Sequence, residues 1–399
     1  MSKLNNINQK ANRMLRICII FLTIIFISKS SASIPNIEVL IGKSVPKIIV
    51  KGENITKTYV TTTGVKNETK DSKTYPGKNT IVLNCDRNLK DKWSNGILVA
   101  ELSSSSGVIE WKNSIYKGDL NIIRKPQETS CHIVQALSLE HYLSTLLGKE
   151  MNKTWPIEAL KAQAVAARSY ALYKMQIRKN KNPKVAFYDL ESSEKDQVNG
   201  SLSDINSTTI KATYLTEGEV LLNKQAKIDP IFYHAQCGGK TLLPREVWND
   251  QVEDYQRVQC QFCQTSKDGN WNRDISAKFF LNAIKQKDKT LINIVDQSKY
   301  SSTFRAIFKT GVMDIDKGEF RRMFGKNLIR SNRFSVKLVK DYTGGRIAIH
   351  GQGNGHGVGL CQLGALDLAK RGLNYKQILE YYYPGFKLTK VYGKDFRKI

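Results

Sequence analysis

The chain has 399 residues, 41% of them hydrophobic, with 62 Lys and Arg against 36 Asp and Glu and a formal net charge of +26. That apolar content excludes a generally disordered chain and suffices for one large domain or two smaller ones. The charge calls for polyanionic partners, and which polyanion depends on where the chain is delivered.

Residues 1–33 read as an export signal. Lys3, Lys10, Arg13 and Arg16 give a basic start, an apolar run covers residues 17–27, and Ser30, Ser31, Ala32 and Ser33 offer a cleavage site. The run is too short for an ordinary membrane span. The alternative is a retained N-terminal anchor, and either reading places the body in the periplasm, the cell wall or the extracellular space. No later stretch is long and apolar enough to cross a bilayer. Out there the polyanions are lipid surfaces, wall polymers and peptidoglycan rather than nucleic acid. A muramic acid whose stem peptide has been removed exposes its lactyl carboxylate, so a stripped glycan strand is itself acidic. Cys18 falls in the signal, leaving Cys85, Cys131, Cys237, Cys260, Cys263 and Cys361 in a setting that permits disulfides. Cys85 with Cys131 is one candidate pair.

Residues 34–94 form a strand- and loop-rich region, with short strands at 37–41 and 47–50 and a polar, turn-rich loop at 64–79. Strands continue at 81–83, 97–102, 108–111, 120–123 and 132–134, with Gly107 and Gly118 in turns between them. Leu139, Leu143 and Leu146 then take helical spacing. A second helix starts at Thr154-Trp155-Pro156, with Pro156 in the first turn, where its missing N–H costs nothing, and Glu158 facing the positive end of the helix dipole. From Glu158 to Met175 that helix is rich in alanine, which favours helix and lets neighbours approach closely. A strand at 231–234 ends at Gly238-Gly239, residues 275–345 read as a mixed helix and strand insertion, and 351–359 as a glycine-rich loop. Helices at 363–370 and 375–382 close the chain before a basic tail at 391–399. The fold class expected is α+β: a strand-rich N-terminal portion, a helical catalytic core with the Ala-rich helix, and further strands around an insertion.

Glu150 continues the leucine stripe. At about 100° per residue, positions 139, 143, 146 and 150 fall on one narrow line. A carboxylate there is desolvated, which raises its pKa and suits it to general acid catalysis of glycoside cleavage. The competing reading pairs Glu150 with a buried Arg such as Arg168, and a helix ended early at Gly148 would weaken the stripe. Gly351, Gly353, Gly355, Gly357 and Gly359 alternate through a loop whose backbone must approach something closely. No P-loop Lys-Ser/Thr follows, which argues against a nucleotide. His356 and Gln362 in this region either bond sugar hydroxyl and acetamido groups or tie the loop together.

The run Leu139-Glu140-His141-Tyr142-Leu143, Gly148-Lys149-Glu150-Met151 and Trp155 through Leu172 closely resembles the signature of the stage II sporulation protein D family. So does Gly353-Asn354-Gly355-His356-Gly357-Val358-Gly359-Leu360-Cys361-Gln362-Leu363-Gly364-Ala365, continuing to Tyr382-Tyr383-Pro384-Gly385. Weaker echoes lie between, at Asp189, Gln197, Gly200, His234, Gly238-Gly239 and Glu319-Phe320-Arg321. The resemblance spans roughly residues 95–390 and departs from the family at Cys361, where serine is usual, and at Gln352, where a basic residue is common. It implies a lytic transglycosylase that cleaves the bond between N-acetylmuramic acid and N-acetylglucosamine in peptide-stripped strands, with the muramyl 6-hydroxyl as nucleophile, a 1,6-anhydro product and Glu150 as the one acid and base. That reaction needs no cofactor. The resemblance further implies substrate contacts from Arg168 and Gln163 on the Ala-rich helix and from Gly355, His356, Gly357 and Gln362. Arg168 would bind a sugar carboxylate or orient Glu150. Some relatives, the amidase enhancers, imply instead a non-catalytic glycan-binding partner of a cell-wall amidase. His234-x-x-Cys237 and Cys260-x-x-Cys263 are two ligand pairs suited to one structural zinc, in competition with disulfides among these cysteines or, more distantly, a zinc hydrolase.

Overall fold

The computed structural model describes residues 33–62, 68–85, 97–125, 128–181, 186–193, 196–248, 252–263, 269–340 and 345–393. Of the segment read as an export signal, residues 1–32 lie outside the described residues, as do residues 394–399 of the expected basic tail. The fold is α+β. Among the described residues no helix is long and apolar enough to cross a membrane.

The N-terminal half is one sheet built from β1 (Asn36–Val45), β2 (Lys47–Thr62), β3 (Glu68–Asn84), β4 (Ile97–Ser103), β5 (Val108–Trp111), β6 (Ser114–Lys117), β7 (Asp119–Arg124) and β8 (Cys131–Ser138). The strand order is β6-β5-β2-β4-β7-β8-β1, with β3 on β2 and the short β9 (Leu190–Glu191) joining β1 in parallel. Ile48, Val50, Ile55, Leu102, Ile109, Leu120 and Ile133 point to one side and are fully buried, the period of two that a half-buried strand requires. The turn-rich loop expected at 64–79 is corrected over residues 68–79, which belong to β3 and pair with β2; residues 63–67 lie outside the described residues. This ribbon is polar on its outward positions, with Thr56 against Thr74 and Thr58 against Ser72 joined through their hydroxyls at 2.9 Å. Hydrogen bonding to a partner strand, not apolar alternation, makes it a strand. Cys85 and Cys131 form a disulfide that ties the end of β3 to the start of β8.

The Ser138 hydroxyl caps α1 (Leu139–Glu150), accepting from the His141 N–H. The helix runs through Gly148, where a Cβ would stand 1.8 Å from the Asp204 carbonyl oxygen, so only glycine lets that loop lie against it. Pro156 is the residue just before α2 (Ile157–Lys179) rather than part of its first turn. Ala159, Ala162, Ala164, Ala166, Ala167 and Ala171 of α2 are all fully buried. Their small side chains let it run through the centre, against α3 (Ser207–Leu215), β10 (Glu219–Leu222), α6 (Gln362–Lys370) and α7 (Tyr375–Tyr382). β19 (Lys387–Lys390) pairs with β10 and closes this layer.

The insertion extends from β12 (Asn270–Ser276) to β17 (Arg346–Gln352). Between them lie α4 (Ala277–Ala283), β13 (Leu291–Val295), β14 (Thr303–Phe308), β15 (Gly311–Asp316), α5 (Lys317–Phe324) and β16 (Phe334–Val339), forming sheets β12-β17-β16 and β13-β14-β15. It has its own core around Phe280, Phe304, Phe320 and Phe334. A buried Lys317 ammonium donates there to Asp296 at 3.0 Å and to the carbonyls of Ser298 and Phe334. Finally β11 (Tyr233–His234) pairs in parallel with β18 (Leu360–Cys361), setting His234 opposite Cys361. That short ladder brings the glycine-rich segment beside the strand that follows the helical core.

The disulfide spans a sequence separation of 46 residues. Loop-closure entropy for a cross-link of that span predicts that replacing Cys85 and Cys131 by serine together lowers unfolding free energy by about 2–4 kcal/mol. Urea titration of the two proteins measures this.

Candidate functional site

Glu150 is the last residue of α1, and the stripe beneath it is dry: Leu139, Leu143 and Leu146 are 0% exposed. Its one hydrogen-bond partner among the described residues is the Val198 N–H, at 3.1 Å from Oε1. Desolvation by burial raises the Glu150 pKa above its ordinary 4.5, and the single N–H from Val198 opposes this only in part. The loop that brings Val198 is itself held on the helices. The Tyr142 hydroxyl donates to Gln197 Oε1 at 2.9 Å, and Gln197 Nε2 donates to the Ala167 carbonyl at 3.3 Å.

Glu150 opens into a cleft of about 650 Å³ that also takes in Tyr170, Asp196, Phe232, His234, Trp248, Asn354, Gly355 and His356. Phe232, Trp248 and His356 follow one another as tilted rings, with centroids 4.5 and 4.9 Å apart, and the His234 ring centroid lies 5.6 Å from that of His356. Rings with apolar faces and polar edges suit a sugar, whose own faces alternate in the same way. Both histidines are held neutral. Burial pushes His234 down to about 4, and burial, then His234 and Arg321, push His356 well below the ordinary range. His234 Nδ1 lies 3.0 Å from the Val358 carbonyl and so carries the proton, leaving Nε2 as an acceptor. His356 Nδ1 accepts from the Val358 N–H at 3.1 Å. Asp196, the other acid in the cleft, is committed to Lys174 at 2.8 Å, to the Tyr170 hydroxyl and to the Glu191 N–H. Arg321, Arg322 and Lys326 bring positive charge to the same space from the insertion.

Four buried cysteines form a second cluster. The sulfurs of Cys237, Cys260, Cys263 and Cys361 all lie within 4.8 Å of one another and could hold a metal ion. Cys361 Sγ also accepts from the backbone N–H groups of Cys237 and Gly364, both at 3.4 Å, the second of these capping α6.

With this geometry in view, a family profile described as Stage II sporulation protein matches residues 127–222. An uncharacterized protein of Brachyspira hyodysenteriae is 32% identical over 279 residues, covering 69% of this chain and 72% of its own. The amidase enhancer of Bacillus subtilis is 26% identical over 354 residues, 76% of this chain and 48% of its own. Stage II sporulation protein D of Bacillus amyloliquefaciens is 26% identical over 275 residues, 65% of this chain and 77% of its own. The chain belongs to the stage II sporulation protein D family.

Against that family's motifs the structure gathers some of the expected residues and separates others. Glu150, Gly355 and His356 line one cleft. Arg168 does not reach it and is corrected as a substrate contact. It is 0% exposed, with Nε and Nη2 gripping the Glu140 carboxylate at 2.8 and 2.7 Å and Nη1 on the Glu219 carbonyl at 3.0 Å. Nor does it pair with Glu150. Gln163 is likewise fully enclosed on α2, Gln362 is 6% exposed at the start of α6, and neither lines the cleft. Gly357 faces Leu242 instead.

His234 is corrected as a metal ligand. It stands beside Cys361 in the β11–β18 ladder, but its ring is drawn to the Val358 carbonyl and into the cleft, and Cys361 supplies the fourth sulfur. Cys361 carried a signal in the sequence, as a cysteine at a position where the family has serine and as the one left after the Cys85–Cys131 pair and the three metal candidates Cys237, Cys260 and Cys263. Tyr170 lay within the family-like run from Trp155 to Leu172 without being singled out, whereas Trp248 and Arg322 carried none, since they reach the cleft from separate elements.

Because the folded state favours the protonated Glu150, its contribution to stability is fully present below pH 4.5 and is lost as pH rises through the raised value. Glu150→Gln, which keeps an acceptor for Val198, is therefore expected to melt higher than the wild type at pH 7, with the gap closing below pH 4.5. Calorimetric scans at both ends of that range check the sign.

Proposed function

We propose that this protein is a peptidoglycan lytic transglycosylase, exported from the cytoplasm, that cleaves glycan strands stripped of stem peptides. The observation that carries the reading is one uncommitted carboxyl with a raised pKa, Glu150, in an aromatic-lined cleft whose other acid is already paired. Glycosidases that use water or a covalent intermediate employ two carboxyl groups. Here the second role belongs to the substrate. Protonated Glu150 gives its proton to the glycosidic oxygen as the bond from the muramyl anomeric carbon breaks. The muramyl 6-hydroxyl oxygen then bonds that carbon and returns its proton to the Glu150 carboxylate, leaving a 1,6-anhydro end and a catalyst restored to its starting state. The neutral His234 and His356 offer an acceptor and a ring face to the sugar without adding charge. The Cys85–Cys131 disulfide supports an oxidising destination outside the cytoplasm.

The four-cysteine cluster fits a structural zinc. Tetrahedral Zn–S bonds of about 2.3 Å bring sulfurs roughly 3.8 Å apart, and the four thiols are buried within 4.8 Å of one another. Cys237, Cys260, Cys263 and Cys361 would hold the ion, which in turn would cross-link the segment after β11 to the start of α6. Four protein ligands leave no open position for a substrate.

A second reading follows from the amidase enhancer among the relatives: the cleft binds glycan for a partner amidase without cutting it. Incubation with peptide-free strands followed by mass spectrometry separates the two. Anhydro-muramyl ends that vanish in Glu150→Gln are expected, with a loss of at least about a hundredfold. Binding without cleavage by the wild type would leave the second reading in its place. For the metal, elemental analysis of protein purified under reducing conditions is expected to give one zinc per chain, falling in Cys361→Ser but not in His234→Ala; protein free of zinc would dispose of the assignment.

A further inference from the structure

The cationic wall of the cleft comes from the insertion. Arg321 and Arg322 stand on α5 and line the same space as Glu150. Neither pairs with an acidic side chain among the described residues. Arg321 donates from Nε to the Ile329 carbonyl at 3.0 Å and from Nη2 to the Arg330 carbonyl at 3.5 Å; Arg322 donates from Nη1 to the Val247 carbonyl at 3.0 Å. Carbonyls fix a guanidinium in place but do not neutralise it. Several other arginines meet a carboxylate instead: Arg168 is held by Glu140, Arg257 by Glu246, Arg305 by Asp314 and Arg346 by Asp274; Arg333 also has only carbonyls, those of Gly238 and Lys240, but it does not line the cleft. Burial lowers the Arg321 pKa and no carboxylate raises it, as expected of a partly desolvated cation whose anion arrives from outside. Arg321 is also close enough to His356 to help hold that ring neutral, so its charge is felt at the glycine-rich loop. The adjoining segment is anchored on the same loop, with the Gly355 N–H donating to Arg330 O at 2.9 Å and Asn332 Nδ2 to His356 O at 3.2 Å.

We infer that Arg321, aided by Arg322, is the carboxylate receptor of this cleft and selects glycan strands whose muramic acid carries a free lactyl carboxylate. The inference rests on the glycan reading above and assigns the basis of its substrate choice. An Arg fork matches a carboxylate with two parallel N–H bonds, whereas an amide-linked stem peptide removes the charge at that position and adds bulk. Arg168, enclosed with Glu140, cannot serve. Unlike the diffuse attraction of a chain with net charge +26, this contact is local and should survive moderate salt.

The test uses the full chain carrying Glu150→Gln, so that strands are not consumed, and fluorescent glycan strands in three forms: peptide-stripped, stripped with carboxylates reduced to alcohols, and peptide-bearing. Carboxyl reduction is expected to weaken binding about tenfold or more, the worth of a charge-assisted pair. Adding Arg321→Gln should weaken binding of stripped strands by a similar factor and abolish the difference between stripped and reduced strands, with Arg321→Lys intermediate. Equal weakening on both strand types, or peptide-bearing strands bound as tightly as stripped ones, overturns the inference. The carboxyl-reduction arm leaves the protein untouched, so the question stays answerable if Arg321→Gln fails to fold. Carboxylate-dependent binding by a wild type that leaves strands uncut would remove the transglycosylase reading and keep the receptor; cleavage indifferent to the carboxylate would do the reverse.

Discussion

The bidentate pair between Arg168 and Glu140 underlies the rest of the helical core. Arg168 lies on the central helix α2 and Glu140 in the first turn of α1, and the fork fixes both the separation and the rotation of the two helices. The same guanidinium reaches the Glu219 carbonyl on β10, and the Tyr392 hydroxyl donates to Glu140 at 2.6 Å, so the C-terminal segment closes on the same point. Each nitrogen of the Arg168 guanidinium and both oxygens of the Glu140 carboxylate meet a partner, which is the condition for a buried ion pair to specify geometry rather than to disrupt it; removing one member of such a pair costs about 3–5 kcal/mol. The rotation it sets carries the far end of α1, and with it Glu150, to the mouth of the cleft.

Glu150 owes its protonation behaviour to that placement and to how little it is given. A carboxylate meeting two or three N–H groups would be driven acidic. Glu150 meets Val198 alone, above a dry leucine stripe. Asp196, in the same cleft, shows the opposite treatment, with an ammonium, a phenol and an N–H all committed to it. The two acids of one space are thereby made unlike in their contacts, one with a single N–H and the other with three partners.

The cleft is assembled from distant parts of the chain. The two-residue ladder of β11 and β18 places His234 beside the glycine-rich segment, where His234 lines the cleft and its ladder partner Cys361 joins the thiol cluster. The thiol cluster and the cleft therefore share one short piece of backbone. The insertion, with a core of its own, adds α5 and its arginines as a wall. An element that contributes charge but no part of the central packing can vary in sequence without loss of the fold, which suits it to setting substrate choice.

The local pattern of the chain determined much of this. Leucine spacing and alanine content marked α1 and α2, Gly107 and Gly118 marked turns that have positive φ in the structure, and the carboxylate at the end of the stripe was visible as the one apolar-face acid. Those features are local, because helix periodicity and left-handed backbone are written within a few residues. Only the tertiary structure decided which charges face the cleft. Arg168 and Arg321 are both arginines on helices, yet one is enclosed by Glu140 and the other has only carbonyls, and nothing within a few residues of either records which acid the fold will bring to it. The same holds for His234 and Cys361 as rival metal ligands, and for β3, whose polar sequence becomes a strand because β2 lies beside it. Pairing between segments far apart in sequence is a property of packing, and packing is settled by all the partners at once.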